Sequence, residues 1–429
     1  MFNIFRTLTK HCFLTTAFFF IWFPCSLFAA PKDIIFWHSM AGQLGEEVGR
    51  LTQQFNRSQT DYRIIPTYKG DYAESLTSFA AAFRAKHPPQ LIQVFEVGTS
   101  VMRSPAGIIK PVDVLMREQG MAIAKSQFFP AVLDSYSDNG VLLAMPFNIS
   151  VPVLFYDADV LAPFGVSSKS FPRTWDSLES LAKSLHDAGF ACTYTTAYPA
   201  WILMESYLAL HGLTMMEGDS VIYNKHMVAY IDRMRHWQKK HYFEYGGRGD
   251  DATVLFTSGR CPIFSQSSGA YAGLSALVSF RLGVAPIPID VSASASRHNN
   301  VVGGAALWVV AGQSPEIERG IAQFLVFLAQ PEIQQLWYEH TGYLPLETQF
   351  NPSQNKYPHS ILGIAAFDLD NDKEEPHHLL QQRPQNQIRA INDQMLEAIF
   401  SGMMSTKDAM NNAVLRANHV LTRFKKNTQ

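Results

Sequence analysis

Beyond its first 30 residues the 429-residue chain has only two cysteines, Cys192 and Cys261. That excludes a small disulfide-stapled fold; the two either pair in an oxidising compartment or stay as buried thiols. Also missing past residue 30 is any apolar run of the roughly 20 residues that a spanning helix needs. Charge of one sign is scarce too: 35 Lys and Arg face 37 Asp and Glu. The net charge is −2, or about −4 once residues 1–30, with Arg6 and Lys10 and no acid, are set aside. Without a basic field, nucleic acid is not an expected partner.

Motifs for chemistry are equally scarce. There is no His-Glu-x-x-His, no Gly-x-Ser-x-Gly elbow and no phosphate-binding Walker loop. The 14 histidines are scattered, and neither His236 with His241 nor His377-His378 has companions at metal-ligand spacing. Asp368-x-Asp370-x-Asp372 has the spacing of a calcium loop, but Lys373 replaces the glycine at its sixth position and Leu379 the glutamate at its twelfth. It reads as a solvated acidic loop. Gly246-Gly247-Arg248-Gly249-Asp250 reads as a flexible turn. No cofactor, no metal and no catalysis are expected.

What is present begins with an export signal. Arg6 and Lys10 precede the apolar run Cys12–Phe23, and Ala29-Ala30 offers small residues for cleavage; the alternative is an uncleaved anchor. After it come Ile34–Trp37 as a strand, Leu44, Val48, Leu51 and Phe55 at helical spacing, and Asp61–Tyr68 as a strand. Leu76, Phe79 and Phe83 repeat the helical period before the strand Leu91–Phe95. Such alternation predicts crossovers and a parallel sheet with helices on its faces. Further along, Asn139-Gly140 predicts a turn, Val151–Tyr156 a strand, Thr174 a helix N-cap and Ser314-Pro315 a helix start. Val301–Val310 forms an apolar run around Gly303-Gly304, and Ser405 or Thr406 caps a last helix. Aromatic residues make up 12% of the chain, more than a core needs if some of them line a cleft.

Eight segments then occur in a telling order: Phe36–Met40, Tyr68–Tyr72, Gln93–Gly98, Pro146-Phe147-Asn148, Ser267-Ser268-Gly269, Gly303-Gly304-Ala305, Thr341–Pro345 and Gln387-Ile388-Arg389. Together they resemble the glycerol-3-phosphate-binding proteins of bacterial ABC importers, within extracellular solute-binding protein family 1. The resemblance spans nearly the whole exported chain and is weakest over 351–383. It implies a two-lobed α/β solute-binding fold of type II with the ligand cleft between the lobes. The implied lobes are 31–145 with 301–345, and 146–300 with 346–429. It also implies a periplasmic, monomeric receptor for sn-glycerol-3-phosphate or a glycerophosphodiester such as glycerophosphocholine. The receptor would deliver its ligand to an inner-membrane ABC permease and break no bond. Alternatives are a sugar or polyol receptor on the same fold, or a glycerophosphodiester hydrolase.

By the same resemblance the cleft residues are Tyr72, Glu96, Ser150, Tyr198, Ser267, Gly304, Tyr343 and Arg389. Arg389 would grip phosphate with a bidentate fork. The hydroxyls of Tyr72, Ser150, Ser267 and Tyr343 would donate to phosphate oxygens, Gly304 would let a backbone N–H approach, and Glu96 would accept from the glycerol hydroxyls. Tyr198 stands where the family has tryptophan, and a shifted alignment would bring Trp201 into the site instead. Each residue also has a plain reading: Tyr72 in a helix cap, Glu96 as a surface acid, Gly304 as a bulge, Tyr343 in a core, Arg389 in a surface salt bridge.

Overall fold

The protein is described by a computed structural model over residues 30–103, 107–346 and 384–428, with Gly363, Asp368 and Leu369. The export signal, most of the acidic loop and His377-His378 lie outside the described residues.

Strand Lys32–His38 buries alternate side chains and pairs in parallel with Tyr62–Tyr68 on one edge and Leu91–Phe95 on the other. Helices Gly42–Ser58 and Tyr72–Arg84 make the crossovers. Val48, Leu51 and Phe55 form the buried stripe of the first. Asp71 caps the second, its carboxylate accepting from the Glu74 N–H while Glu74 reaches back. The first sheet is mixed rather than all parallel. Gly303–Val309 joins antiparallel to Leu91–Phe95, and Met145–Ser150 pairs antiparallel beyond it.

A second, four-stranded sheet holds Leu282–Ala285, Pro152–Asp157, Ile263–Ser267 and Tyr194–Thr196 in that order. Adjoining strands Met145–Ser150 and Pro152–Asp157 belong to different sheets, so the chain passes between sheets at Val151. The passage falls five residues beyond the 145/146 limit that the sequence implied. Helices Trp175–Asp187, Lys225–Lys239, Gln385–Phe400 and Thr406–Thr428 cover one face of this sheet around a core of Trp175, Tyr194, Tyr230 and Trp237. No helix among the described residues is long and apolar enough to cross a membrane.

Local signals act where the sequence places them. Thr174 accepts from the Ser177 N–H at 3.2 Å. Ser314 caps Pro315–Leu328, and Ser405 accepts from the Asp408 N–H at 3.1 Å. Asn139 and Gly140 both take positive φ between two short paired strands, as a type I′ turn requires.

Asp368 corrects the reading of a solvated loop. It is fully buried, its Oδ1 accepts from Arg297 Nε at 2.9 Å and Nη2 at 2.7 Å, and Asn300 donates to its Oδ2. A buried carboxylate is tolerated only when paired this way.

Cys192 and Cys261 form a disulfide with Cα atoms 4.8 Å apart and a sequence separation of 69. Closing a loop of that length in the unfolded chain is worth about 4 kcal/mol in the chain-entropy treatment. Replacing both by serine is expected to lower Tm by about 5 °C, taking about 2.1 cal/mol/K per residue. Calorimetric melting of the parent and the double variant checks it; equal melting temperatures would contradict it.

Candidate ligand cleft

The first sheet delivers residues to the site from the ends of its strands. Leu91–Phe95 ends in a tight helical turn that begins with Glu96, 9% exposed. Tyr72 opens the second crossover helix, and its ring stacks on Phe95 at 5.1 Å, nearly parallel. Its hydroxyl accepts from Asn148 Nδ2 at 3.1 Å, which leaves the phenolic proton free to donate outward. Asn148 is fully buried and held from behind by Gln93, whose amide donates to its Oδ1 at 2.8 Å. Its amide also reaches the Tyr343 hydroxyl. Tyr343 in turn stacks on Trp337 at 6.0 Å. Burial keeps both phenols protonated: Tyr72 is pushed well above the usual phenol value and Tyr343 up to about 12.

Gly304 lies on strand Gly303–Val309 with φ +98°, paired with Ile149. A Cβ there would come closer than 3.0 Å to the Asn148 carbonyl oxygen. Ser150, 2% exposed, pairs with Gly303 at the passage between sheets, and Ser267 ends its strand opposite Pro152. The Ser267 hydroxyl oxygen accepts from the Gly269 N–H at 3.2 Å.

Tyr198 holds a positive φ of 43°, donates its N–H to the Gly249 carbonyl and meets Trp201 edge-on at 6.3 Å. The residue as a whole is 42% exposed. Burial raises its phenol, and the charges of Asp250 and Glu96 and the Tyr343 hydroxyl add to the effect. Trp201 lies beside Tyr198. It is 6% exposed, lies against Gly303, and its indole N–H has no partner among the described residues.

Arg389 sits on helix Gln385–Phe400, which also buries Ile388, Ile391, Met395 and Leu396. The guanidinium is not an empty fork. Its Nε donates to Glu205 Oε1 at 2.9 Å and its Nη2 to Glu205 Oε2 at 2.6 Å, while Nη1 donates to Glu96 Oε1 at 2.7 Å. Burial works against this cation, but the two carboxylates outweigh it and hold it above the ordinary guanidinium value. Burial likewise raises Glu96, against the pull of Arg389. One cation therefore joins a carboxylate from the first-sheet side to one from the second.

Of the eight residues expected from the sequence, Ser150, Ser267 and Gly304 lie next to the passage between the sheets, Tyr72 and Tyr343 meet at Asn148, Arg389 meets Glu96, and Tyr198 meets Trp201, which lies against Gly303. Asn148, Glu205 and Asp393 were not expected there. Asp393, one helical turn beyond Arg389, accepts the Ala200 N–H at 3.2 Å. Burial raises its carboxyl to about 6, against the pull of that N–H and of Arg389. An acid whose folded value exceeds its unfolded one, about 3.9, binds more protons when folded across that window. Its stabilising share is full below about pH 4 and is lost as pH rises through about 6. Asp393→Asn is therefore expected to flatten the stability profile between those values in denaturant melts. An unchanged slope would contradict this.

Known proteins share both sequence and fold with this chain. The profile of the family described as bacterial extracellular solute-binding protein matches residues 50–359. The sn-glycerol-3-phosphate-binding periplasmic protein UgpB of Escherichia coli strain K12 is 38% identical over 423 residues, covering 93% of this chain and 95% of that protein. The protein of the same name from Salmonella typhimurium is 37% identical, covering 92% and 94%. Among solved structures, UgpB from Mycobacterium tuberculosis in complex with glycerophosphocholine superposes with TM-score 0.78 at 20% identity, covering 92% of this chain and 99% of that one. The GacH receptor of Streptomyces glaucescens, solved unliganded and with acarbose, gives TM-score 0.76 at 18% identity over 92% and 99%. The fold is the two-lobed one of these receptors. The chain belongs to the bacterial extracellular solute-binding proteins, a family of binding proteins rather than enzymes.

Proposed function

We propose that the chain is a monomeric periplasmic receptor that captures sn-glycerol-3-phosphate or a glycerophosphodiester between its lobes and hands it to an inner-membrane ABC permease. The observation that carries this reading is the buried guanidinium of Arg389 at the contact between the two sides of the cleft, with the Tyr72 and Tyr343 phenols nearby. A buried cation beside protonated hydroxyls suits a phosphate oxygen, and a neutral sugar has no need of it. The relatives named for sn-glycerol-3-phosphate support the choice of ligand.

In this reading one lobe takes 31–150 and 301–346 and the other takes 151–300 and 384–428, following sheet membership. Phosphate binds where Glu96 now meets Arg389, with Tyr72, Ser150, Ser267, Tyr343 and the Gly304 backbone around it. Tyr198 and Trp201 cover the other end of the ligand. Tyr198, smaller than the family's tryptophan, leaves room there for a diester head group, whose cation its ring face attracts.

Thermal melting of refolded, ligand-free protein with glycerol-3-phosphate, glycerophosphocholine, glycerol and maltose tests the reading. A ligand at 100 times its Kd stabilises by about 2.7 kcal/mol. Shifts are expected with the two phosphate ligands and not with glycerol or maltose. A shift with maltose alone would replace this reading by a sugar receptor, and release of choline from the diester on incubation would replace it by a hydrolase.

A further inference from the structure

Glu205 lies in an apolar surrounding, the segment Ala200–Ser206 with its neighbours Trp201, Ile202, Leu203 and Met204 all buried. The segment is a π-helical turn, a wide conformation found most often at functional sites. The Glu205 side chain is 5% exposed. A carboxylate so placed must be paired, and both of its oxygens are. Oε1 and Oε2 take Nε and Nη2 of Arg389, and Oε2 also accepts from Gln385 Nε2 at 3.1 Å.

Helix Gln385–Phe400 is built to hold this pair. Gln385, Arg389, Asp393 and Glu397 recur every four residues, so they share one face. Their partners in turn are Glu205, Glu205 with Glu96, the Ala200 N–H that opens the π-helical turn, and Arg248. Guanidinium and carboxylate are thus each fixed by a second element. With its Nε edge taken by Glu205, Arg389 has only the Nη1 end to present across the cleft, where Glu96 now lies.

We propose that Glu205 is the positioning residue for the anion site: it clamps the Nε edge of Arg389 so that the Nη1 end meets the ligand's phosphate. This rests on the receptor reading above. Glu96 lies at the end that phosphate takes, and a bound ligand displaces Glu96 but not Glu205. The clamp has a cost, since Glu205 is itself an anion near an anionic ligand. Orientation outweighs repulsion here, because an arginine freed from Glu205 turns wholly to Glu96 and leaves the phosphate no donor.

Calorimetric titration with glycerol-3-phosphate, on the parent, Glu205→Gln, Arg389→Lys and the double variant, tests the proposal. Glu205→Gln is expected to weaken binding about tenfold or more, and Arg389→Lys about a hundredfold. A residue that acts through Arg389 adds nothing once Arg389 is gone, so the double variant is expected to match Arg389→Lys alone. A merely structural glutamate would give additive losses, and that result, or tighter binding by Glu205→Gln, overturns the proposal. Glu205→Asp keeps the charge but draws it back by one methylene. It is expected to weaken binding as well, and it decides the matter if the glutamine variant does not fold; parent-like binding by Glu205→Asp overturns the proposal. A parent that binds neither glycerol-3-phosphate nor glycerophosphocholine overturns the receptor reading itself and the clamp with it.

Discussion

Arg389→Met is expected to abolish measurable binding of glycerol-3-phosphate and to destabilise the empty protein at the same time. The binding loss follows from the removal of the cation that joins Glu96 to Glu205 in the proposed cleft. A hydrogen bond to a charged group contributes about 1.5–3 kcal/mol, which is about one to two powers of ten in Kd. The methionine also leaves Glu96 and Glu205 buried side by side without a counter-charge, which opposes a phosphate further. The total loss is expected to exceed about a hundredfold. Stability falls for the same reason: removing one member of a buried ion pair costs about 3–5 kcal/mol. Calorimetry and denaturant melts read the two effects separately. Adding Glu205→Gln to Arg389→Met is expected to recover part of the stability and only the small share of binding lost to the repulsion by Glu205, since the cation itself is still missing. If Arg389→Met bound phosphate ligands as the parent does, the anion site would have to lie elsewhere.

The second large effect is expected from a single methyl group. Gly304→Ala places a side chain at φ +98°, a conformation that L-residues rarely adopt, with its Cβ closer than 3.0 Å to the Asn148 carbonyl oxygen. Both atoms belong to paired strands, so no flexible side chain can yield. Strand Met145–Ser150 must move away from Gly303–Val309, and Asn148 moves with it. Asn148 connects Gln93, Tyr72 and Tyr343, so the displacement spreads to the phenols of the cleft. The expected cost is about 3 kcal/mol in stability, from backbone strain and overpacking together. Affinity is expected to fall by about tenfold to a hundredfold, although no ligand-facing side chain is removed. Unchanged melting and unchanged affinity in Gly304→Ala would show that the strand pair is softer than this geometry implies.

Several strands, helices and caps were legible because each carries a local signal. Val48, Leu51 and Phe55 repeat at helical spacing, and Thr174 and Ser314 mark the starts of their helices. Met145–Ser150 was missed because Pro146 and Asn148 break up its apolar residues, although all six positions are buried. Its partner, Gly303–Val309, lies more than 150 residues away, and no local pattern announces such a pairing. The disulfide was left open because spacing cannot show that two Cα atoms approach to 4.8 Å.

Within the site, Arg389 stood out by its motif, but its surroundings did not. Glu205 was passed over because it belongs to none of the segments that carry the resemblance. One signal was available: a lone acid among Trp201, Ile202, Leu203, Met204 and Tyr207 must find a buried cation. Asn148 was likewise visible only as part of Pro146-Phe147-Asn148. Its role rests on being buried between Gln93 and two tyrosines drawn from distant parts of the chain.

The central claim is that the cleft recognises the phosphate of a glycerophosphate ligand. Titration calorimetry of the refolded, ligand-free protein with glycerol-3-phosphate, run beside glycerol and maltose, tests it most directly. Saturable one-to-one heat is expected from glycerol-3-phosphate, with a Kd on the micromolar scale that corresponds to about −8.2 kcal/mol, and none from glycerol or maltose. Saturable binding of maltose or glycerol, with no heat from glycerol-3-phosphate, would contradict it.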